Sequence, residues 1–167
     1  MSPTVQYGIA HGAQVIGVDG GSEKRDFVLS LGAQEFIDFK TSRNVVEDIH
    51  SITNGGAHAV IVAVGTPRAF AQAADMLRVG GTLCCVGIPP GRAFIETPVS
   101  SIVVKGLKIT GNLVGSLKEC LEAVDLVRRG IVKPKISVRP FRDLPIVYEE
   151  MEKGEISGRI VLEVGDE

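Results

Sequence analysis

Two hydrophobic rhythms alternate along this chain. Short apolar runs at residues 14–18, 35–39, 59–64 (AVIVAV) and 82–86 (TLCCV) have the length and composition of strands. Between them, apolar residues recur at helical spacing. Residues 5–11 predict the end of a helix stopped by Gly12, and residues 1–4 contribute no preceding strand. Ser22 is placed to cap a helix carrying Phe27, Val28 and Leu31, which Gly32 closes. Residues 45–53 set Val46, Ile49 and Ile52 on one helical face. The uninterrupted run at 59–64 predicts a parallel strand buried on both faces. Gly65, Thr66 and Pro67 open a helix expected to reach Arg78, and Gly80 and Gly81 end it.

A further apolar stretch lies within residues 103–114, and residues 117–129 predict a helix ended by Gly130. The tail changes character, with strands at 135–138 and 159–164 around a short helix at 144–152. Strands alternating with helices up to about residue 115 imply βαβ units with right-handed crossovers. The expected class is α/β. Residues 1–116 are expected to form a doubly wound parallel sheet and residues 117–167 an α+β tail.

Composition narrows the function classes. A hydrophobic share of 44% in 167 residues suits one well-buried core with or without an appendage. The net charge of −2 and the lack of a basic stripe argue against nucleic acid, and Arg128, Arg129, Lys133 and Lys135 read as a solvated face. No apolar run is long enough to cross a bilayer, and residues 1–12 lack the pattern of a signal peptide, so a cytoplasmic location is expected. Cys84 and Cys85, adjacent in a strand, point to opposite faces and are poorly placed to share a metal; with Cys120 they are expected to be reduced packing residues.

Candidate chemistry begins at Gln14–Lys24, QVIGVDGGSEK, where a strand stops at Asp19 before a glycine pair. Ligands of open parallel sheets bind beyond the carboxyl ends of the strands. A carboxylate there can accept hydrogen bonds from both hydroxyls of an adenosine ribose and repels a 2′-phosphate, which favours NAD over NADP. The phosphate-binding glycines belong about 20 residues earlier. Counting back that far from Asp19 passes the first residue, so the glycine-rich loop is expected to be missing. An isolated Asp19 is equally a surface acid at a strand end, and Lys24 and Arg159 are equally solvated charges.

Longer stretches carry a resemblance: GVDGGSEKRDFVLSLGAQEFIDF, GGAHAVIVAVG, LRVGGTLCCVGIPPG, ITGNLVG, RRGIVKPKI and MEKGEISGRIVLEV. From about Val5 onward the chain resembles the C-terminal, coenzyme-binding part of zinc-dependent medium-chain alcohol dehydrogenases, the fungal, yeast-like enzymes above all. The resemblance implies that Asp19 binds the adenosine ribose and that Lys24 reaches the same ribose. It places Val64 and Gly65 beside the adenosine, and Val86, Gly87 and Ile88 in a loop whose backbone meets the nicotinamide amide. Val114 falls on the nicotinamide side, and Arg159 matches an arginine that pairs with the pyrophosphate.

The same resemblance implies that residues 1–116 form a truncated, Rossmann-like sheet lacking its first strand. It marks what else this sequence lacks: the glycine loop and the catalytic domain with its zinc ligands and proton relay. His11, His50 and His58 match none of those groups, so zinc is not expected here, nor any catalytic residue, and NAD binding is expected to be weak or lost. Without the first strand, residues 14–18 and 59–64 must pair with each other, with another segment or with a second molecule. In the family, the strand that begins at Leu107 and ends at Val114 pairs with its symmetry mate, which implies a homodimer or larger assembly. Three functions follow for comparison. One is an NAD-linked alcohol or aldehyde oxidoreductase by descent, inactive as this chain. The second is a non-catalytic interaction, regulatory or homo-oligomerising module. The third, opposed by the specific motifs, is a nucleotide-sugar or methyl-donor Rossmann protein.

Overall fold

The computed structural model describes residues 2–165; Met1, grouped above with residues 2–4, and the last two residues of the tail lie outside the described residues. In chain order the elements are α1 (Ser2–Ala10), β1 (Ile16–Asp19), α2 (Ser22–Ser30), β2 (Glu35–Asp38), α3 (Val45–Thr53), β3 (Ala57–Val62) and α4 (Pro67–Ala73). There follow β4 (Leu77–Cys85), α5 (Val99–Lys105), β5 (Lys108–Gly111), α6 (Leu117–Arg128), β6 (Ile136–Pro140), α7 (Leu144–Lys153) and β7 (Arg159–Glu163). Three sheets, ordered β1-β2, β3-β4-β5 and β6-β7, are parallel throughout. The class is α/β, as the alternation of strand and helix patterns predicts.

The chain divides into two compact units. One combines the described residues up to Asp38 with those from Lys118 onward; the other runs from Phe39 to Leu117. In the first, Val5 of α1, Val28 of α2 and Ala33 form a buried cluster, against which Val15, Leu31 and Phe36 pack. Gly17 permits the close approach of β1 to α2, because a Cβ there would lie 2.6 Å from Val28 Cγ1. Buried Gln6 ties α1 to the segment after α6. Its Nε2 donates to Lys133 O (3.0 Å), and its Oε1 accepts from Lys133 N (2.6 Å). Tyr7 Oη donates to Ala123 O on α6 at 3.2 Å. The tail is itself a βαβ unit, with β6 and β7 paired from Ile136↔Arg159 to Pro140↔Glu163.

In the second unit, Val62, Phe70, Ala73, Ala74, Leu77 and Leu83 form the core between the sheet and α4. α3 matches its expected limits because Asn44 caps it, accepting from Val46 N (3.1 Å) and Glu47 N (3.3 Å).

Five local expectations need correction. Ser22 is the first residue of α2 and not its cap. Gly21 occupies the cap, and its N–H goes to Asp38 Oδ2 at 3.0 Å. The buried face of α3 is Val45 and Ile49, while Ile52 is 43% exposed. β3 is not buried on both faces: Val62 is buried, but Ile61 is 53% exposed, since the sheet packs α4 on one side. The helix after Pro67 ends earlier, continuing as a 3-10 turn at Ala74–Met76. Leu77, fully buried, already belongs to β4, and Gly80 and Gly81 sit in a register break between the pairs Ala57↔Leu77 and Ala59↔Thr82. Finally, α5 went unpredicted because its β-branched sequence, VSSIVVK, disfavours helix locally.

Candidate functional site

The strand that ends at Asp19 presents its carboxylate at the mouth of the Gly20–Gly21 turn. Asp19 Oδ1 accepts from Gly20 N (2.8 Å) and from Lys24 Nζ (3.2 Å), and the side chain is 20% exposed. Oδ2 has no partner among the described residues and remains free to accept. Lys24 reaches back from the first turn of α2, so the two residues singled out in this stretch form one ion pair. Asp38, which no motif in the sequence singles out, pairs in register with Asp19 and accepts from Gly21 N. Its only sequence signal is its place at the end of an equally short strand.

A second group gathers at the carboxyl ends of β3, β4 and β5. Val86 N and Gly87 N both donate to Val62 O, at 3.0 and 2.8 Å. Gly87 passes so close to residue 64 that a Cβ would lie 2.2 Å from Val64 O, and one on Gly65 would lie 2.8 Å from Ile88 O. Val64, Gly65, Val86, Gly87 and Ile88 are thus brought together as two interlocked loops. Apolar residue types alone would make Val64, Val86, Ile88 and Val114 packing residues. Instead all four are exposed, from 39% at Val64 to 88% at Val114.

Val114 also adopts φ 51, a conformation that β-branched residues seldom take. Just before it, Asn112 N donates to Cys85 O (3.0 Å), and its side chain accepts a weak bond from Cys84 Sγ (3.8 Å). Burial, then the neighbouring Cys84, push the Cys85 thiol up, so it stays protonated at neutral pH. Cys120 is exposed on α6 and is not the packing residue expected. Arg159 opens β7 in the first unit. Its N–H donates to Lys135 O (2.9 Å), and its exposed guanidinium has a long contact to Gly158 O (3.4 Å).

This geometry can be set beside known proteins. The profile of one family, described as zinc-binding dehydrogenase, matches residues 3–129. The chain belongs to that family. It is 41% identical over 161 residues to alcohol dehydrogenase 1 of Emericella nidulans, covering 95% of this chain and 46% of the relative. Against the alcohol dehydrogenase of Schizosaccharomyces pombe it is 41% identical over 160 residues, covering 96% and 45%. The crystal structure of the alcohol dehydrogenase from the archaeon Aeropyrum pernix superposes with a TM-score of 0.85 at 28% identity, over 95% of this chain and 45% of that one. This member of the zinc-binding dehydrogenases therefore spans about half the length of the curated relatives it matches.

The family's description raises the question of zinc. Among the described residues no three His, Cys, Asp or Glu side chains gather closely enough to hold a metal ion. Two histidines are engaged elsewhere: His50 Nε2 donates to Asp75 O (2.8 Å), and His58 Nε2 accepts from Arg78 Nη1 (2.8 Å). The donor set of the described residues does not fit zinc. No helix among the described residues is long and apolar enough to cross a membrane.

Proposed function

We propose that this chain is the coenzyme-binding part of an NAD-linked alcohol or aldehyde oxidoreductase of the cytoplasm. We further propose that the 167-residue polypeptide by itself binds NAD weakly and turns over no alcohol. The observation that carries the proposal is Asp19. It is a half-buried carboxylate at the carboxyl end of a parallel strand, steadied by Lys24 and Gly20, with one oxygen free for a ribose hydroxyl. In the first unit Asp19 would hold the ribose and Lys24 would flank it. The bound cofactor supplies the hydride acceptor; the chain's residues supply orientation. Arg159 is proposed as the pyrophosphate partner, supported by its exposed guanidinium.

Titration calorimetry is expected to show NAD affinity weaker than micromolar, and an ethanol oxidation assay with NAD and added zinc is expected to show no turnover. Micromolar affinity overturns the first statement, and turnover overturns the second.

A second role, a homo-oligomerising module, draws support from β5. The strand pairs with β4 on one side only among the described residues, and it is exposed along its length. We propose that the edge formed by Leu107 to Val114 pairs with a second copy.

A further inference from the structure

α3 passes into β3 through Asn54, Gly55 and Gly56. In an Asn-Gly pair the side-chain amide is open to attack by the next backbone nitrogen, because glycine has no side chain to shield it. The other asparagines, Asn44 and Asn112, precede the bulkier Val45 and Leu113. Asn54 is also exposed to water. The reaction uses nothing but the chain and water. The Gly55 nitrogen bonds to Cγ of Asn54, the Cγ–Nδ2 bond breaks, and the Gly55 amide proton leaves with that nitrogen as ammonia. Water then opens the five-membered imide at either carbonyl, giving aspartate or, with Cβ carried into the main chain, isoaspartate.

The fold keeps these atoms apart. Asn54 ends α3 in the left-handed region, at φ 51 and ψ 62. At that ψ the Gly55 nitrogen lies on the opposite side of the Cα–C bond from Cβ, whereas the imide ring needs both on the same side. The Gly55 N–H is donated to His50 O at 3.0 Å, as is that of Asn54. Gly56 N donates to Thr53 Oγ1 (3.0 Å), which donates to Ile49 O (2.6 Å). Gly56 also lies tight against β4, since a Cβ there would sit 2.6 Å from Arg78 N. Rotating Asn54 into a reactive shape therefore requires the junction to open.

We propose that Asn54–Gly55 is a deamidation site that the folded turn holds shut, so that opening of the α3–β3 junction converts it irreversibly. Either product places a negative charge at the carboxyl end of α3, where the helix dipole disfavours an anion. Isoaspartate also lengthens the main chain by one atom beside Gly56, where there is no space to take it up. A chain that reacts while open recloses less well than one that has not reacted.

The test incubates the full 167-residue chain in mildly alkaline buffer, folded and in guanidinium chloride, and follows each asparagine by peptide mass spectrometry with enzymatic detection of isoaspartate. Asn54 should convert about tenfold or more faster in the denatured chain, as expected for a group that reacts only from an opened state. In denaturant, Asn44 and Asn112 should lag behind it. Thr53→Val removes both side-chain bonds of the turn and should speed conversion in the folded chain by about threefold or more, with the rate in denaturant unchanged. Equal rates in the folded and denatured chain overturn the gating, and no conversion in denaturant overturns the site itself. An unchanged folded-state rate in Thr53→Val, with its circular dichroism intact, overturns the role of the turn. The comparison within the unsubstituted chain decides the proposal even if that variant does not fold.

Discussion

Gly87 has no room for a side chain. Its Cβ would sit 2.2 Å from a backbone oxygen, and backbone cannot swing aside as a flexible side chain can. Gly87→Ala is expected to cost about 1–3 kcal/mol, as overpacking usually does, read as a lower urea midpoint at unchanged slope. The resemblance singled out this position for its backbone. The physical reason for glycine, the crossing of the loops after β3 and β4, appears only in three dimensions. The cysteines divide just as locally. Cys120 is exposed, while Cys85 is half-buried with its thiol held protonated. Brief iodoacetamide treatment at pH 7.5 followed by mass spectrometry should modify Cys120 first and Cys85 last; equal labelling would contradict that order.

At the scale of elements, α3 and α6 carry the clearest local codes. Asn44 satisfies two amides at the start of α3, and Asn44→Ala should destabilise the fold by about 1 kcal/mol in chemical denaturation. In α6, the Arg128 guanidinium hydrogen-bonds Asp125 at 2.8 Å, and this, aided by Arg129, holds the Asp125 carboxyl below the usual carboxylate range. A lowered folded value means the contact supports α6 above the unfolded value of about 4. That support is lost as pH falls through the folded value. Carboxyl NMR should show Asp125 titrating below an ordinary aspartate, and Arg128→Ala should raise its midpoint. α3 and the helix at α6 were legible because cap, stripe and stop lie within a few residues. α5 was not, since its β-branched residues carry the opposite propensity, and its helix is closed by Pro98 and Gly106 at its ends.

For the molecule as a whole, the alternation of strands and helices made the α/β class readable, and the strand end made Asp19 readable. Lys24 was singled out by the resemblance alone, and its ion pair with Asp19 appears only in the structure. The division into two units was not readable either. It depends on contacts such as Gln6 with Lys133, for which neither residue offers a local signal. Asp38 stayed hidden for the same reason, because its bond to Gly21 joins residues 17 apart. Association belongs to this scale too. If β5 pairs with a second copy, light scattering at micromolar concentration should report a dimer. Ile109→Lys, placing charge on the edge strand, should shift it toward monomer; a monomer before substitution would refute the pairing.

The clasp between Gln6 and Lys133 spans 127 residues. During synthesis, α1 therefore leaves the ribosome long before its hydrogen-bonding partner has been translated, whereas residues 39–117 emerge with all the strands of their sheet. Residues 39–117 can therefore settle first, and residues 2–38 must meet those from 118 onward afterwards, so the closing of the first unit is expected to be the slow, long-range event in folding.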